Sequence, residues 1–263
     1  NRPGSKVVVL DANPFIQAEP TNFRNAFDVI HAGVITYVPN AKLTGVVATN
    51  AGTPVTVLDG AVSRSVQKIA ATVSYEEKDS LGVVTSKTMA ANVVNVIPIQ
   101  TTPALWTAVG LTSPANANGQ AWCPVDPLSY ESVLVSGVHV IGDVQGTAQP
   151  KAGHIANQEA KVCADAIVRY LVNGIASVAG LDQNPATNSS CYSPITTTTA
   201  SWLAAVYKYD PATKAMVLAN WRGDYAPDGT TKVPPEASGI TTGNYSQMNT
   251  WFKVLMSDTG FTA

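Results

Sequence analysis

Two neighbouring stretches decide how this sequence folds: Gly137-Val-His-Val-Ile-Gly-Asp143 and, seven residues further on, Pro150-Lys-Ala-Gly153. The first is an apolar run that ends on Gly-Asp, a pattern typical of a buried strand followed by a tight turn. The second opens a segment that continues to about Leu171 with apolar residues at helical spacing. The order of strand, turn and helix predicts an α/β unit with a ligand site where the strand ends.

The residue types at this turn suit a bound flavin. Gly142 lets the backbone approach a ligand closely, and the Asp143 carboxylate can accept hydrogen bonds from sugar-alcohol hydroxyl groups. A helix that begins near Gly153 would direct its positive end toward the ring edge that becomes anionic on reduction. The alternative is an ordinary turn in which Asp143 caps the helix or the loop. The residues alone leave both interpretations open.

The N-terminal part of the chain also has an α/β pattern. Lys6–Asp11 is a run of β-branched and apolar residues, typical of a buried parallel strand. A helix is predicted over Thr21–Gly33, with Thr21 and Asn22 as capping residues, and a short strand over Val34–Val38. Further on, Ala91–Ile97 is predicted as another buried strand.

Antiparallel hairpins are predicted between residues 41 and 96, where apolar stretches alternate with Gly and Asp turns. Their strands are expected at Thr53–Val57, Gln67–Tyr75 and Val83–Thr88. Later elements are a short helix at Ala104–Val109, a strand at Ala204–Tyr209 and a C-terminal helix near Tyr245–Met256. The Gly174–Ser190 segment, rich in small and polar residues, predicts a domain boundary.

The composition excludes several classes of protein. With 263 residues, 45% of them hydrophobic, the chain can bury a sizeable core. Sixteen Lys and Arg against 18 Asp and Glu leave no basic surplus, so no nucleic-acid partner is expected. No apolar run approaches the ~20 residues of a membrane span. Three scattered His and three Cys without a CxxC pair predict no metal or haem site within the chain.

Several segments occur in an order that resembles the flavoprotein subunit of flavocytochrome c sulfide dehydrogenase. They are Trp122–Asp126, Val138–Asp143, Pro150–Gly153, Ala156–Asn157, Ala160–Val162 and Cys191–Ser193, together with Lys6–Asp11 and Asn95–Gln100. The resemblance covers nearly the whole chain, although residues 41–90 and 210–240 match loosely. It implies an α/β, partial two-dinucleotide-binding-domain flavoprotein fold with an α+β C-terminal domain.

The same resemblance implies a division of the chain and a set of site residues. Residues 1–100 would be the remainder of a second nucleotide-binding-like domain, 101–175 part of the FAD-binding domain, and 176–263 the C-terminal domain. The implied FAD contacts are Gln100, Gly142, Asp143, Pro150, Lys151, Ala152 and Gly153. Cys191 corresponds to a cysteine that forms a redox-active disulfide beside the flavin, and Trp251 to an aromatic residue that lines the active site.

The implied activity is FAD-dependent oxidation of sulfide to sulfur or polysulfide in the periplasm, with electron transfer to a c-type cytochrome subunit that carries the haem. The low charge content agrees with a secreted or periplasmic protein. The family's glycine-rich FAD phosphate loop and second redox cysteine have no counterpart here, so an N-terminal flavoprotein half or chain is expected as a partner.

The sequence also departs from the family at positions that would lie near the flavin ring. Ala152, His154, Val144 and Ile99 differ from its usual residues and leave the substrate open. The alternatives are a related flavoprotein that uses another sulfur compound or a quinone, and a non-catalytic binding chain that lacks its FAD half.

Overall fold

The computed structural model describes residues 4–50, 52–59, 61–67, 69–172, 174, 178–221 and 239–260. It contains both helices and several small, mainly antiparallel sheets, which confirms the mixed α/β class. The chain divides into two compact units, Asn1–Pro98 and Ile99–Ala263. The predicted functional domains, with boundaries at 100 and 175, stay a prediction. None of the helices in the described part has the length and apolar character that a bilayer crossing requires.

The first unit opens with a two-stranded parallel sheet. Strand β1 (Val7–Leu10) pairs with β2 (Ile35–Val38), as the sequence predicts. Between them lie α1 (Pro20–Asn25) and a π-helical turn at Ala26–Ile30, so the predicted helix begins at Pro20 and not at a Thr21 cap. Proline suits this first position because its φ is already helical.

The expectation that this first strand is buried is wrong. Val7 is 49% exposed and Val8 38% exposed. Among the described residues, β1 pairs with β2 alone, whereas the strands of a parallel sheet are normally buried when layers cover both faces.

Antiparallel strands make up the rest of the first unit. They are β3 (Ala41–Asn50), β4 (Val55–Asp59), β5 (Val62–Val66), β6 (Ile69–Lys78) and β7 (Val84–Ala91). The β4–β5 pair is a hairpin, and the other three form a sheet in the order β3-β6-β7. The predicted hairpins are confirmed, but the predicted strand at Ala91–Ile97 is wrong. Beyond Ala91 the chain pairs with no described strand, and Val93 and Ile97 are more than four-fifths exposed.

The second unit joins helices to one sheet. Its elements are α2 (Ala104–Ala108), α3 (Gly153–Leu171), β8 (Ala186–Pro194), β9 (Ala200–Asp210), β10 (Ala215–Leu218) and α4 (Thr242–Asp258). These confirm the predicted helices and the strand at Ala204–Tyr209. The sheet has the order β10-β9-β8. Helix α3 packs against β8, and α4 packs against β9 and β8.

The predicted strand at Gly137–Asp143 is wrong in form. The segment is extended and pairs with residues 130–132, where the Val140 N–H donates to the Tyr130 carbonyl at 2.8 Å. Gly137 and Gly142 both adopt left-handed backbone angles, with φ of 78° and 76°. Between the two turns, the extended residues 138–141 form an isolated bridge, Glu131 with His139, instead of a ladder. Gly142–Val144 is a short 3-10 turn that leads toward α3.

Candidate functional site

The start of helix α3 is open to an acceptor from outside the helix. Ala152, the residue before the first turn, is extended and supplies no side-chain cap. The first N–H groups of an α-helix have no partner within the helix. A side chain at Gly153 would meet no atom within 4 Å, so space remains beside this end. These observations fit an anionic or electron-rich ligand group at the first turn.

The Gly142–Asp143 turn lies against the same helix. Gly142 has a φ of 76°, which favours glycine, and an added Cβ would lie 3.7 Å from the Ala156 Cβ. Asp143 is exposed, so its carboxylate is accessible to ligand hydroxyl groups. The predicted cofactor residues at both ends of the 142–153 segment are therefore close to the first two turns of α3.

A buried polar network supports this turn. Glu159 is fully buried on the inner side of α3. Its Oε2 accepts a hydrogen bond from the Gly142 N–H at 2.6 Å, and its Oε1 accepts one from Gln145 Nε2 at 2.9 Å. Gln145 is also fully buried, and its main-chain carbonyl accepts a hydrogen bond from the Lys151 ammonium. The carboxylate thus connects the turn to Lys151.

Lys151 bends back toward the protein. Its Nζ lies 4.8 Å from the centre of the Trp122 ring, a cation–π arrangement. Burial lowers the pKa of this ammonium, while the nearby carboxylates of Glu159 and Asp143 act in the opposite direction. The neighbouring Pro150 is half-buried. The side chain is therefore held in place and can present a positive charge beside the turn.

A second set of buried bonds ties the loop to strand β8. The Tyr130 hydroxyl donates to Gln149 Oε1 at 2.9 Å, and Gln149 Nε2 donates to Thr187 Oγ1 at 2.5 Å. All three side chains are buried. Burial raises the pKa of the Tyr130 hydroxyl, so it stays a neutral donor. The loop before α3 is consequently fixed to the strand that carries Cys191.

His154 contacts Trp251 and the main chain next to Cys191 at the start of α3. Its Nδ1 accepts a hydrogen bond from the Ser190 N–H, next to Cys191, at 3.0 Å. The same ring lies edge-on to Trp251, with 5.9 Å between centroids. Tyr192 in turn lies 5.5 Å from Trp251. The first turn of α3, strand β8 and helix α4 therefore meet at one place.

His154 is held in one tautomer. An Nδ1 that accepts a main-chain hydrogen bond carries no proton, so the neutral ring keeps its proton on Nε2. Burial lowers the pKa of the imidazole, Lys161 lowers it further, and Asp258 acts in the opposite direction. The sequence marks His154 only as a departure from the family pattern and gives no hint of this linking role.

Cys191 is the accessible thiol of the chain. Cys191 is exposed, whereas Cys123 and Cys163 are buried. Burial raises the pKa of both buried thiols, which lowers their reactivity. The Cys191 Sγ lies 3.8 Å from the Ser189 Oγ. Its position on β8, opposite Leu203, leaves it open to a reactant or another cysteine.

Aromatic rings line the same end of the sheet. Tyr192 stacks on Trp202 across β8 and β9, with 5.8 Å between centroids and planes 9° apart. The indole N–H groups of Trp202 and Trp251 are both buried without a hydrogen-bond partner. Side chains alternate along a strand, so these rings cover the face of the sheet opposite to the Cys191 thiol.

Gln100 is the predicted cofactor residue that the described contacts leave apart from this cluster. Its main-chain carbonyl accepts a hydrogen bond from Gln120 Nε2 at 3.0 Å. Its role toward a cofactor stays a prediction, as do the chemical roles of Cys191 and Trp251. Among the described residues, no group of three or more His, Cys, Asp or Glu side chains could hold a metal ion.

The polar network is the part that sequence reasoning missed. Glu159 lies four residues after Ile155 and four before Cys163, on the apolar side of α3. A charged residue within an apolar helical stripe signals a buried, paired group. Gln145 and Gln149 carried no such signal, because the loop that contains them has no periodic pattern.

No model of a known protein family matches this sequence. The functional conclusion therefore depends on the geometry around α3 and on the motifs that carry the resemblance.

Proposed function

We propose that this chain is part of an FAD-dependent sulfide dehydrogenase of the flavocytochrome c type. It would oxidise sulfide to sulfur or polysulfide and pass electrons to a c-type cytochrome subunit. The partial two-dinucleotide-binding-domain fold with an α+β C-terminal domain belongs to the same proposal. The observation that carries it is the His154–Ser190 hydrogen bond, which brings the strand of Cys191 to the uncapped start of α3.

The chain's own residues offer what a flavin needs at this place. The first turn of α3 has open N–H groups, Asp143 is exposed, and Lys151 adds a positive charge nearby. Donors and positive charge favour the anionic edge of a reduced ring. A bound FAD supplies a two-electron acceptor that can release electrons one at a time. The His154 and Trp251 rings pack between the helices and limit access of water on that side.

Cys191 carries the sulfur chemistry in this proposal. Following the resemblance, it forms a disulfide with a cysteine of another polypeptide segment. Hydrosulfide attacks one sulfur, the S–S bond breaks, and the other sulfur leaves as a thiolate. The attacked sulfur then carries a persulfide. Release of sulfur with re-formation of the disulfide yields one proton and two electrons, which balances the step.

The proposed surroundings agree with this chemistry. A disulfide of this kind persists in an oxidising compartment such as the periplasm. The haem would belong to the cytochrome subunit, because this sequence has no CxxCH motif. An N-terminal flavoprotein half or chain would supply the remaining FAD contacts.

The test uses protein purified from its native source with everything that accompanies it. A mass spectrum under denaturing, non-reducing conditions is expected to show FAD and a cysteine-linked segment that is lost in Cys191→Ser. That variant should keep its flavin but lose at least ~100-fold in sulfide-dependent cytochrome reduction, because the nucleophilic chemistry lacks its sulfur. The matched control is Cys163→Ala, which removes a buried thiol and should keep the activity.

Three outcomes would contradict the proposal. Full activity in Cys191→Ser would remove the disulfide mechanism. Sulfide-dependent reduction of a quinone but not of a cytochrome would favour the related flavoprotein. A lone 27.5 kDa species without flavin would favour the non-catalytic binding chain.

A further inference from the structure

Glu159 is a buried carboxylate whose two described hydrogen-bond donors are uncharged. Its side chain is 0% exposed. Burying a carboxylate is costly unless hydrogen bonds replace the lost water. No described ion pair includes this residue. A main-chain N–H and a side-chain amide take the place of water instead. Hydrogen bonds to both oxygens fix this carboxyl group at a defined point of the structure.

The two carboxylate oxygens hold different parts of the same loop. Oε2 accepts from the Gly142 N–H and fixes the turn that presents Asp143. Oε1 accepts from Gln145 Nε2. The Gln145 Oε1 accepts from the Thr147 N–H, and its main-chain carbonyl accepts from Lys151. One side chain on the second turn of α3 therefore holds the beginning of the loop and, through Gln145, its end.

We infer that Glu159 is a positioning residue, whose carboxylate holds Asp143 and Lys151 in the arrangement that the 142–151 loop presents to its ligand. The holding role follows from the hydrogen bonds alone. That the ligand is a flavin depends on the proposed function. Glu159 itself faces the interior and contacts no ligand; it acts through Gly142 and Gln145.

A carboxylate is required here because both facing groups are donors. A glutamine at position 159 offers one oxygen and one NH2 group, so one donor would face another donor. The charge and the hydrogen-bond pattern can nevertheless be separated. The double substitution Glu159→Gln with Gln145→Glu preserves all three bonds: position 159 accepts from Gly142 and donates to position 145, which also accepts from Thr147. Only the location of the charge changes.

The charged surroundings decide how this carboxylate titrates. Burial raises its pKa, while the Gly142 N–H, the Lys151 ammonium and the Gln145 amide lower it. The Asp143 carboxylate raises it again. Burial raises the pKa of the Tyr130 hydroxyl, and the Glu159 carboxylate raises it further. Protonation of Glu159 would weaken the bond to Gly142, so the Gly142 amide reports the state of the carboxylate.

The experiment follows the Gly142 amide by NMR in the protein as purified with its companions. In the wild type, the Gly142 proton shift should follow the titration of a carboxylate. In Glu159→Met, which has a similar volume but no acceptor oxygen, its hydrogen exchange should be roughly 10-fold faster, as expected for loss of a buried hydrogen bond. The swapped double variant should regain the protection and lose the titration at Gly142. Asp165→Asn, an exposed carboxylate on the same helix, is the control and should change neither.

The outcomes separate this inference from the proposed function. Unchanged Gly142 protection in a folded Glu159→Met variant overturns the inference. If that variant does not fold, a wild-type Gly142 shift that follows no carboxylate titration overturns it. The expected NMR results in flavin-free native material would support the positioning role and contradict the proposed function. Intact flavin together with unchanged Gly142 protection would support the proposed function and contradict the positioning role.

Discussion

Two antiparallel sheets of this chain differ in what covers them. Helices α3 and α4 pack on the β8–β10 sheet of the second unit, where Ala205 and Met216 are almost fully buried. In the β3-β6-β7 sheet of the first unit, the extensive contacts are between strands; Ala71 and Val73 are buried there, but Val47 is 67% exposed. Ladder hydrogen bonds alone form a sheet, but covering helices create the dry interior in which polar side chains need fixed partners. The candidate site lies where that interior exists.

The largest expected effect comes from comparing two substitutions of an apolar side chain by alanine. Met216→Ala in β10 removes a side chain that is 2% exposed, whereas Val47→Ala in β3 removes one that is 67% exposed. The first should lower the free energy of unfolding by about 3 kcal/mol, because it leaves a cavity. The second should change it by less than ~0.5 kcal/mol. Urea denaturation measures both, and equal losses would contradict the contrast.

A smaller effect is expected from glycine substitutions in the two units. Gly142→Ala forces a side chain into a φ of 76° beside Ala156. It should cost about 1–2 kcal/mol. Gly45→Ala, in strand β3, meets nothing within 4 Å and has no left-handed φ, so its effect should stay below ~0.5 kcal/mol. Thermal unfolding of both variants checks this, and a tolerated Gly142→Ala would show that the turn is less constrained than its geometry indicates.

The third test is the pH dependence that His154 contributes. Its folded-state pKa lies below the ordinary 6.5 because of burial. The unfolded chain therefore binds the proton more readily, and the contribution of His154 to the free energy of unfolding falls as pH drops below 6.5. The slope for one proton is at most about 1.4 kcal/mol per pH unit. Denaturation between pH 5 and 7.5 measures it.

The comparison variant for this test is His154→Gln, which should weaken the dependence of the free energy of unfolding on pH. Glu159 acts in the opposite sense, because burial raises its pKa and the folded state then binds its proton more tightly. The difference between wild type and variant isolates the histidine. An identical pH profile in both would exclude His154 as the titrating group.

The smallest expected effect concerns two aromatic substitutions. Tyr37→Phe in the first unit removes a hydroxyl that donates to Asp11 Oδ2 at 2.8 Å. It should cost about 1 kcal/mol. Trp251→Phe in the second unit removes a buried indole N–H without a partner. Since no hydrogen bond is lost, it should cost less than a typical aromatic truncation, below ~1.5 kcal/mol. A larger loss would indicate that the indole N–H is bonded in the native protein.

Regular elements with local periodicity were predictable. Helices α3 and α4 show apolar residues at helical spacing, and the hairpins of the first unit show alternation between turn residues. The predicted strand at Ala91–Ile97 was wrong, because an apolar β-branched run becomes a strand only where another strand pairs with it. The one at Gly137–Asp143 was wrong because left-handed glycines near both of its ends confine the extended part to residues 138–141, which form an isolated bridge.

The candidate site was predictable only in part. The Gly-Asp turn and the start of α3 follow from the residues, and Cys191 and Trp251 follow from the resemblance. Their meeting through His154 depends on contacts between residues 36 positions apart or more. No local pattern encodes such contacts.

The sequence by itself determined the positions of the main helices, the mixed α/β class and the odd set of cysteines. These properties depend on the spacing of apolar residues and on composition, which are local. Only the tertiary structure decided that Cys191 is the exposed thiol and that Glu159 holds the loop before α3. Burial and hydrogen-bond partners are set by elements that are distant in the chain, because each buried polar group takes whichever partner the packing brings to it.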